Sequence, residues 1–145
     1  MNDNDNDILD PSELPGASMR REQTAAHRAM RHYFDHIEGA IAEGHFEDAT
    51  ERLDALIAFA REHFTTSEGL ARGAGLAAPA AGRLVHEALI SRACVLRARF
   101  QGERDWESAG ETMQNELVAL LSDIVESDQR VEGRVNMAMH GTQLK

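Results

Sequence analysis

The stretch HRAMRHYFDHIEGAI, residues 27–41, decides the fold class of this chain. Its apolar side chains recur every three or four residues, which is the spacing of one face of an α-helix. The members of this stripe are His27, Met30, Phe34, Ile37 and Ile41. The stripe therefore places an imidazole on a face that a helix buries, and a buried polar group needs a partner.

Three more stretches have the same spacing, and each places a polar side chain on its apolar face. The second stripe is Leu53, Leu56, Ala60, His63 and Ser67. The third is Gly82, His86, Leu89, Ala93, Leu96 and Phe100. The fourth is Met113, Leu117, Leu120, Leu121, Ile124 and Asp128. Because helices bury such faces against one another, we expect three histidines and one aspartate to meet in a shared core.

These four stripes predict an all-α protein, an up-down-up-down four-helix bundle with short connections and an N-terminal arm. The predicted helices cover residues 19–43, 47–68, 79–100 and 105–131, and one or more glycines follow each of them. The predicted organisation is an arm over residues 1–19, a bundle over 20–133 and a C-terminal tail over 134–145.

Composition excludes several classes of partner. The net charge of −10 argues against binding to nucleic acid or to an anionic membrane surface. No apolar stretch is long enough to span a bilayer, and the polar residues 1–7 do not resemble a secretory signal. The single cysteine, Cys94, fits a reducing compartment. We therefore expect a soluble, cytoplasmic protein without nucleic-acid or membrane partners; the sequence specifies no protein partner.

The run HFTTSE at residues 63–68 resembles HFxxEE, the signature of the bacterial hemerythrins. Those proteins are four-helix bundles that bind two iron atoms and, reversibly, dioxygen, and the resemblance extends over most of the chain. Residues 9–12, LDPS, followed by Gly16, are similar to the family's N-terminal arm, and residues 75–77 are similar to its GYP turn. The family's HxxxH falls on Gly82 and His86, and its HIxxxD falls on residues 123–128.

The resemblance implies a metal site with an incomplete set of ligands. The family uses five histidines and two bridging carboxylates, and the matching positions here are His27, His63, His86 and Asp128. Ser67 stands in place of a bridging glutamate, while Gly82 and Asp123 stand in place of histidines. Asp123 is then expected to serve as an oxygen ligand. The implied cofactor is iron, as one or two ions in less than the full complement, or none.

The residues themselves also permit a simpler site. His27, His63 and Asp128 can form a facial set with open positions, which suits a single ferrous, zinc or manganese ion. His86 and Asp123 would supply a weaker second position. Glu68 could replace the bridge missing at Ser67 only if the helix were distorted there, for example by a π-bulge.

Three classes of function stay open. The first is a hemerythrin-like metal protein that binds or senses dioxygen or another small ligand, or holds iron. The second is a metal-free regulatory or protein-interaction module, whose core is held by hydrogen bonds such as His63–Asp128 and His86–Asp123. An enzyme ranks last, because the sequence supplies no acid–base pair beyond the ligands. His32, His36 and His45 are expected to be solvated, and Cys94 to be a buried, inert thiol.

Overall fold

A computed structural model of the protein describes residues 14–143, and within that range it contains four α-helices and no β-strand. The all-α, four-helix prediction is therefore confirmed. The helices are α1 (Leu14–Ala42), α2 (Phe46–Gly73), α3 (Arg83–Gly102) and α4 (Trp106–Gln143). None of these described helices combines the length and the apolar character needed to cross a bilayer.

Aromatic contacts close one end of the bundle. Trp106, the first residue of α4, stacks on Phe46, the first residue of α2, with ring centroids 4.5 Å apart. Its ring meets Phe100, near the end of α3, edge to face at 5.1 Å. A second apolar cluster closes the other end and consists of Met19, Ala71, Ala81, Val131 and Val135. The polar core residues lie between these two ends.

The beginning of α3 differs from the prediction. Residues 74–82 form a series of turns, and Gly82 precedes the helix as its N-cap with a φ of 93°. Glycine suits that position because a side chain disfavours positive φ. Gly82 and His86 were expected to project from one face of the same helix; that expectation is wrong, since Gly82 is outside α3.

Helices α1 and α4 are longer than predicted. Residues 14–19, assigned to the arm, belong to α1, and residues 134–143, assigned to a tail, continue α4 past Gly133. The physical reason is burial, because Met19 and Val135 pack together in the end cluster. The predicted arm motif at residues 9–12 lies outside the described residues.

Ion pairs join α3 to both of its neighbours across the bundle surface. They are Arg97 with Asp54 of α2, Arg92 with Asp123 of α4 at 2.5 Å, and Arg99 with Glu116 of α4 at 2.5 Å. Pairs of this kind, partly exposed to water, contribute little stability each. Their position matters more here, because the pair with Arg92 engages Asp123, which was expected to be a metal ligand.

Candidate metal centre

Three helices bring one side chain each to a common point in the core. His27 of α1 and His63 of α2 both direct Nε2 at the same carboxylate oxygen, Oδ2 of Asp128 on α4. The two distances are 2.5 Å and 2.8 Å. The three potential ligand atoms all lie within 4.8 Å of one another. The sequence prediction that these three residues meet in the interior is thus realised in the structure.

The cluster is buried on two sides and open on the third. The side chains of His63 and Asp128 are fully buried, whereas that of His27 is 26% exposed. A small molecule or ion approaching from solvent therefore meets His27 first. Gln23, one turn before His27 on α1, donates from Nε2 to the backbone carbonyl of Asp128 at 2.9 Å and ties α1 to α4 beside the cluster.

Glu22 supports the cluster and was missed by the sequence reasoning. Its Oε1 lies 2.9 Å from Nδ1 of His63, on the side of the ring opposite to Asp128. A signal existed, because the apolar stripe of α1 continues upstream through Met19 and Ala26 and so places Glu22 beside the core. The stripe had been traced only from His27 onward.

The carboxylates of Asp128 and Glu22, one at each ring nitrogen, determine the protonation state of His63. A carboxylate accepts hydrogen bonds and donates none, so both ring nitrogens of His63 donate and the ring is an imidazolium. Burial lowers the pKa of His63, but the hydrogen bonds to Asp128 and Glu22, together with their charges, outweigh it and raise that pKa to about 9.

The carboxyl group of Asp128 is held in its ionised form. Burial raises the pKa of Asp128, but the hydrogen bonds from His27 and His63 and the charges of those rings lower it below its ordinary value. The cluster without a metal is thus a buried ion pair, in which the aspartate carries the negative charge and His63 the positive one.

His86 lies near the cluster but is not one of its three members. Its Nδ1 is 2.8 Å from Oε2 of Glu68, and its ring stacks on Phe64 with centroids 4.1 Å apart. Glu68 therefore holds His86 and does not replace the bridge missing at Ser67; α2 is α-helical throughout, without a π-bulge. The expected His86–Asp123 hydrogen bond is absent among the described residues, because each partner is engaged elsewhere.

Asp123 is placed on the surface. Its side chain is 46% exposed and its Oδ2 accepts from Arg92 at 2.5 Å. The structure therefore does not bring Asp123 to the other candidate ligands. One residue along an α-helix turns the side chain by about 100°, and the apolar stripe of α4 runs through the neighbouring Ile124.

The region around Ser67 is filled by a thioether. The hydroxyl of Ser67 donates to Sδ of Met19 at 3.7 Å, and Gln23 donates to the same sulfur at 3.2 Å. Met19 and Ser67 are both fully buried. This part of the core therefore holds an apolar side chain beside Ser67, the position that the resemblance to the hemerythrins assigns to a bridging carboxylate.

The remaining histidines lie on the surface, as expected. His32, His36 and His45 are exposed, and the Nδ1 of His36 accepts from Arg52 at 2.8 Å. Cys94 is only half-buried, which corrects the expectation of a buried thiol, and a guanidinium nitrogen of Arg61 lies 3.6 Å from its sulfur.

The residues present fit one metal ion and do not fit two. Within residues 14–143, the buried side-chain atoms without a hydrogen-bond partner are Oε2 of Glu22, Nε2 of His86 and Oδ1 of Asp128. The two carboxylate oxygens can only accept hydrogen bonds. Nε2 of His86 also accepts when the proton of that ring is on Nδ1. The core around these atoms therefore has more hydrogen-bond acceptors than donors. A cation at His27, His63 and Asp128 meets part of that need, and Glu22 on His63 Nδ1 is the support that metal-bound histidines typically have.

Comparisons of the chain with protein-family models, with curated proteins and with solved structures give no match. Fold and site together define a four-helix bundle with a buried histidine–aspartate cluster. Any more specific assignment has to be argued from the cluster itself.

Proposed function

We propose that this chain is a hemerythrin-like metal-binding protein whose site holds one divalent ion instead of two, with ferrous iron as the preferred ion. The ligands are His27, His63 and Asp128. The observation that carries the proposal is the convergence of two imidazole Nε2 atoms on one buried carboxylate oxygen from three separate helices.

Two imidazoles and one carboxylate are the donor set that open, mononuclear ferrous sites use, and zinc and manganese accept the same donors. A bound ion would supply open coordination positions for dioxygen or another small ligand. The chain's own contribution is to orient the donors: Glu22 fixes the ring of His63, and Gln23 ties α1 to α4. The partial exposure of His27 gives a small ligand its route of approach.

A second ion is not part of the proposal, because the other half of the family's site lacks donors. Ser67 is bonded to Met19, Asp123 is paired with Arg92 on the surface, and Gly82 has no side chain. His86 alone remains there. A single nitrogen donor leaves an ion dependent on water for nearly all of its ligands, and such a site is weak.

Metal analysis of the protein purified without chelator tests the proposal. We expect close to one equivalent of iron, zinc or manganese per chain, and one equivalent of ferrous iron taken up in an anaerobic titration. His63→Gln should abolish uptake, while the exposed control His36→Gln should leave it unchanged. Two tightly held irons with the absorption of an oxo-bridged pair, or no uptake at all, would contradict the single-ion site.

One observation favours a metal-free module as the second candidate. The cluster is already satisfied in part by its own charge-assisted hydrogen bonds, and the pKa of His63 is raised to about 9. An incoming ion at neutral pH must therefore displace a proton from that ring. If the protein takes up no ion and its melting temperature is the same with and without chelator, the module is the better description.

We further propose a cytoplasmic location, which rests on the single free cysteine and on the preference for the ferrous ion, both suited to a reducing compartment.

A further inference from the structure

We propose that the groove between α2 and α3 binds a small linear zwitterion, in which an apolar chain separates a carboxylate from an ammonium group. The groove has a volume of about 680 Å³, which lies within the usual range of small-molecule sites. This site is separate from the proposed metal centre and does not depend on it, because His27, His63 and Asp128 do not line the groove.

The two ends of the groove carry different charged groups. At one end the guanidinium of Arg61 on α2 lies 3.6 Å from Sγ of Cys94 on α3. At the other end Oε2 of Glu68 on α2 lies 2.8 Å from Nδ1 of His86 on α3. The two helices therefore run in opposite directions along the groove. Residues seven apart on a helix share a face and are separated by about 10 Å, so Arg61 and Glu68 mark the opposite ends of one elongated space.

Arg61 supplies the positive end. Its described partner is the thiol of Cys94, and no carboxylate within residues 14–143 forms an ion pair with it. Arg92, Arg97 and Arg99 differ in this respect, because each of them is paired with a carboxylate on a neighbouring helix. A guanidinium has five N–H donors in a planar fork, which a carboxylate matches with two parallel hydrogen bonds. Most of the donors of Arg61 remain for the carboxylate of a ligand.

Glu68 and Glu87 supply the negative end, and both line the groove. Glu68 uses Oε2 for His86, and Glu87 uses Oε1 for Arg83 on the surface, at 3.2 Å. Each carboxylate keeps a second oxygen that can accept further hydrogen bonds. With the ring of His86 neutral, the two carboxylates share one cation, Arg83, so this end retains a negative charge that favours an ammonium group.

The middle of the groove is apolar. The side chains of Phe64, which is buried, and Ile90, which is half-buried, line it between the two charged ends. An apolar surface with a few polar groups around it is the usual composition of a ligand site. The ring of Phe64 also stacks on that of His86, with centroids 4.1 Å apart. A ligand chain that packs on Phe64 therefore changes the surroundings of His86, whose resonances can report binding.

Nuclear magnetic resonance on the full chain in chelator tests the site, with 6-aminohexanoate as the probe. We expect saturable shifts of the Phe64 and His86 resonances. Hexylamine lacks the carboxylate and hexanoate lacks the ammonium, so each should bind about three- to fivefold more weakly, which is the effect of one lost, partly exposed ion pair. Absence of saturable shifts would overturn the site. Equal affinity for hexylamine and 6-aminohexanoate would overturn the zwitterion as its ligand, since a simple amine would then suffice.

Two variants assign the ends of the ligand to the ends of the groove. Arg61→Gln should remove the preference for 6-aminohexanoate over hexylamine, and Glu87→Gln should reduce the preference over hexanoate. Both side chains are exposed, so the variants should keep the melting temperature of the parent. Glu62→Gln is the control, because Glu62 is the neighbour of Arg61 but does not line the groove; it should keep both preferences. An unchanged preference in Arg61→Gln, or an equal loss in Glu62→Gln, would contradict the site.

Discussion

Glu22 and His63 form a hydrogen bond of 2.9 Å between Oε1 and Nδ1, across the interface of α1 and α2. The contact sets which protons His63 carries, and it also prevents the ring from rotating. Because Glu22 touches His63 and no other member of the cluster among the described contacts, its effect can be separated from that of the proposed ligands.

We expect Glu22→Gln to weaken metal binding by about 10- to 100-fold, as is typical when the carboxylate behind a metal-bound histidine is removed. The same change should lower the pKa of His63, because one of the charges that raise it is lost. Competitive titration with a chelating dye measures the first effect and ¹⁵N resonances of His63 the second. Glu62→Gln, on the exposed side of α2, is the control. If Glu22→Gln binds the metal ion with unchanged affinity, Glu22 does not support the site.

The stability of the metal-free protein should depend on pH in a defined window. The pKa of His63 is raised from 6.5 to about 9, so its contribution is complete below pH 6.5 and is lost as the pH rises through 9. A shift of this size corresponds to about 3 kcal/mol. The pKa of Asp128 is lowered, so its contribution is present above pH 4 and is lost in more acidic solution. Urea unfolding in chelator from pH 5 to 9.5 measures the alkaline loss, and His63→Gln should flatten it.

Asp128→Asn should be the most damaging single change at the cluster. It leaves the buried imidazolium of His63 and the partly exposed ring of His27 without their common anion, and breaking a buried ion pair on one side costs roughly 3–5 kcal/mol. We expect loss of metal uptake and a large fall in the urea midpoint. The matched control is Asp123→Asn, on the same helix as Asp128. Asp123 is half-exposed and paired with Arg92 of α3, so this change should cost less than about 0.5 kcal/mol. Equal effects would show that Asp128 has no special role.

Introducing the ligand residues that the resemblance to the hemerythrins implies should not create a second metal position. The triple change Ser67→Glu, Gly82→His and Asp123→His introduces all three residue types. However, position 82 has positive φ and stands outside α3, position 123 faces solvent, and Met19 fills the space beside Ser67. Iron uptake in an anaerobic titration should stay at or below that of the unchanged protein. Uptake of two irons would mean that this end of the core rearranges readily.

The single change Gly82→Ala should lower the stability of the protein, because position 82 does not accommodate a side chain. A left-handed backbone costs a residue with a side chain about 1–2 kcal/mol, and the new Cβ would press on His86 and Val131 at 3.1 Å. By contrast, Gly69→Ala lies inside α2 with nothing within 4 Å of the new carbon, and should stabilise the protein by about 1 kcal/mol. Thermal unfolding of the two variants should therefore shift in opposite directions.

The helical class and the meeting of three polar residues were readable from the sequence, because both follow from spacing along single helices. His27, His63 and Asp128 stand on stripes of period 3.6, and the helices bury those stripes whatever the details of the loops. The resemblance to the hemerythrins pointed to the same three positions. Membership of the chain in that family is a proposal.

The rest could not be read from spacing, because it depends on loops and on surface partners. Gly82 lies outside α3 because the turn before that helix needs a residue with positive φ, and the apolar stripe does not indicate where such a turn occurs. Asp123 was taken for a ligand although it stands one residue before Ile124, the core position; its partner Arg92 belongs to another helix. The stripe of α1, traced upstream, places Glu22 beside the core, but its partner His63 stands 41 residues away on α2 and no local pattern names it.

His27, the most exposed of the three proposed ligands, and Glu22, the carboxylate behind His63, both come from α1, whereas His63 and Asp128 belong to α2 and α4. Local opening of the first four turns of α1, through Glu22 and His27, would therefore remove one proposed donor and loosen another while the other helices stay folded. Local opening of one segment exposes less buried surface than unfolding of the whole domain, so it occurs more often. The rate at which an ion leaves would then be set by the breathing of one helix, so the protein could hold its ion tightly and still release it quickly.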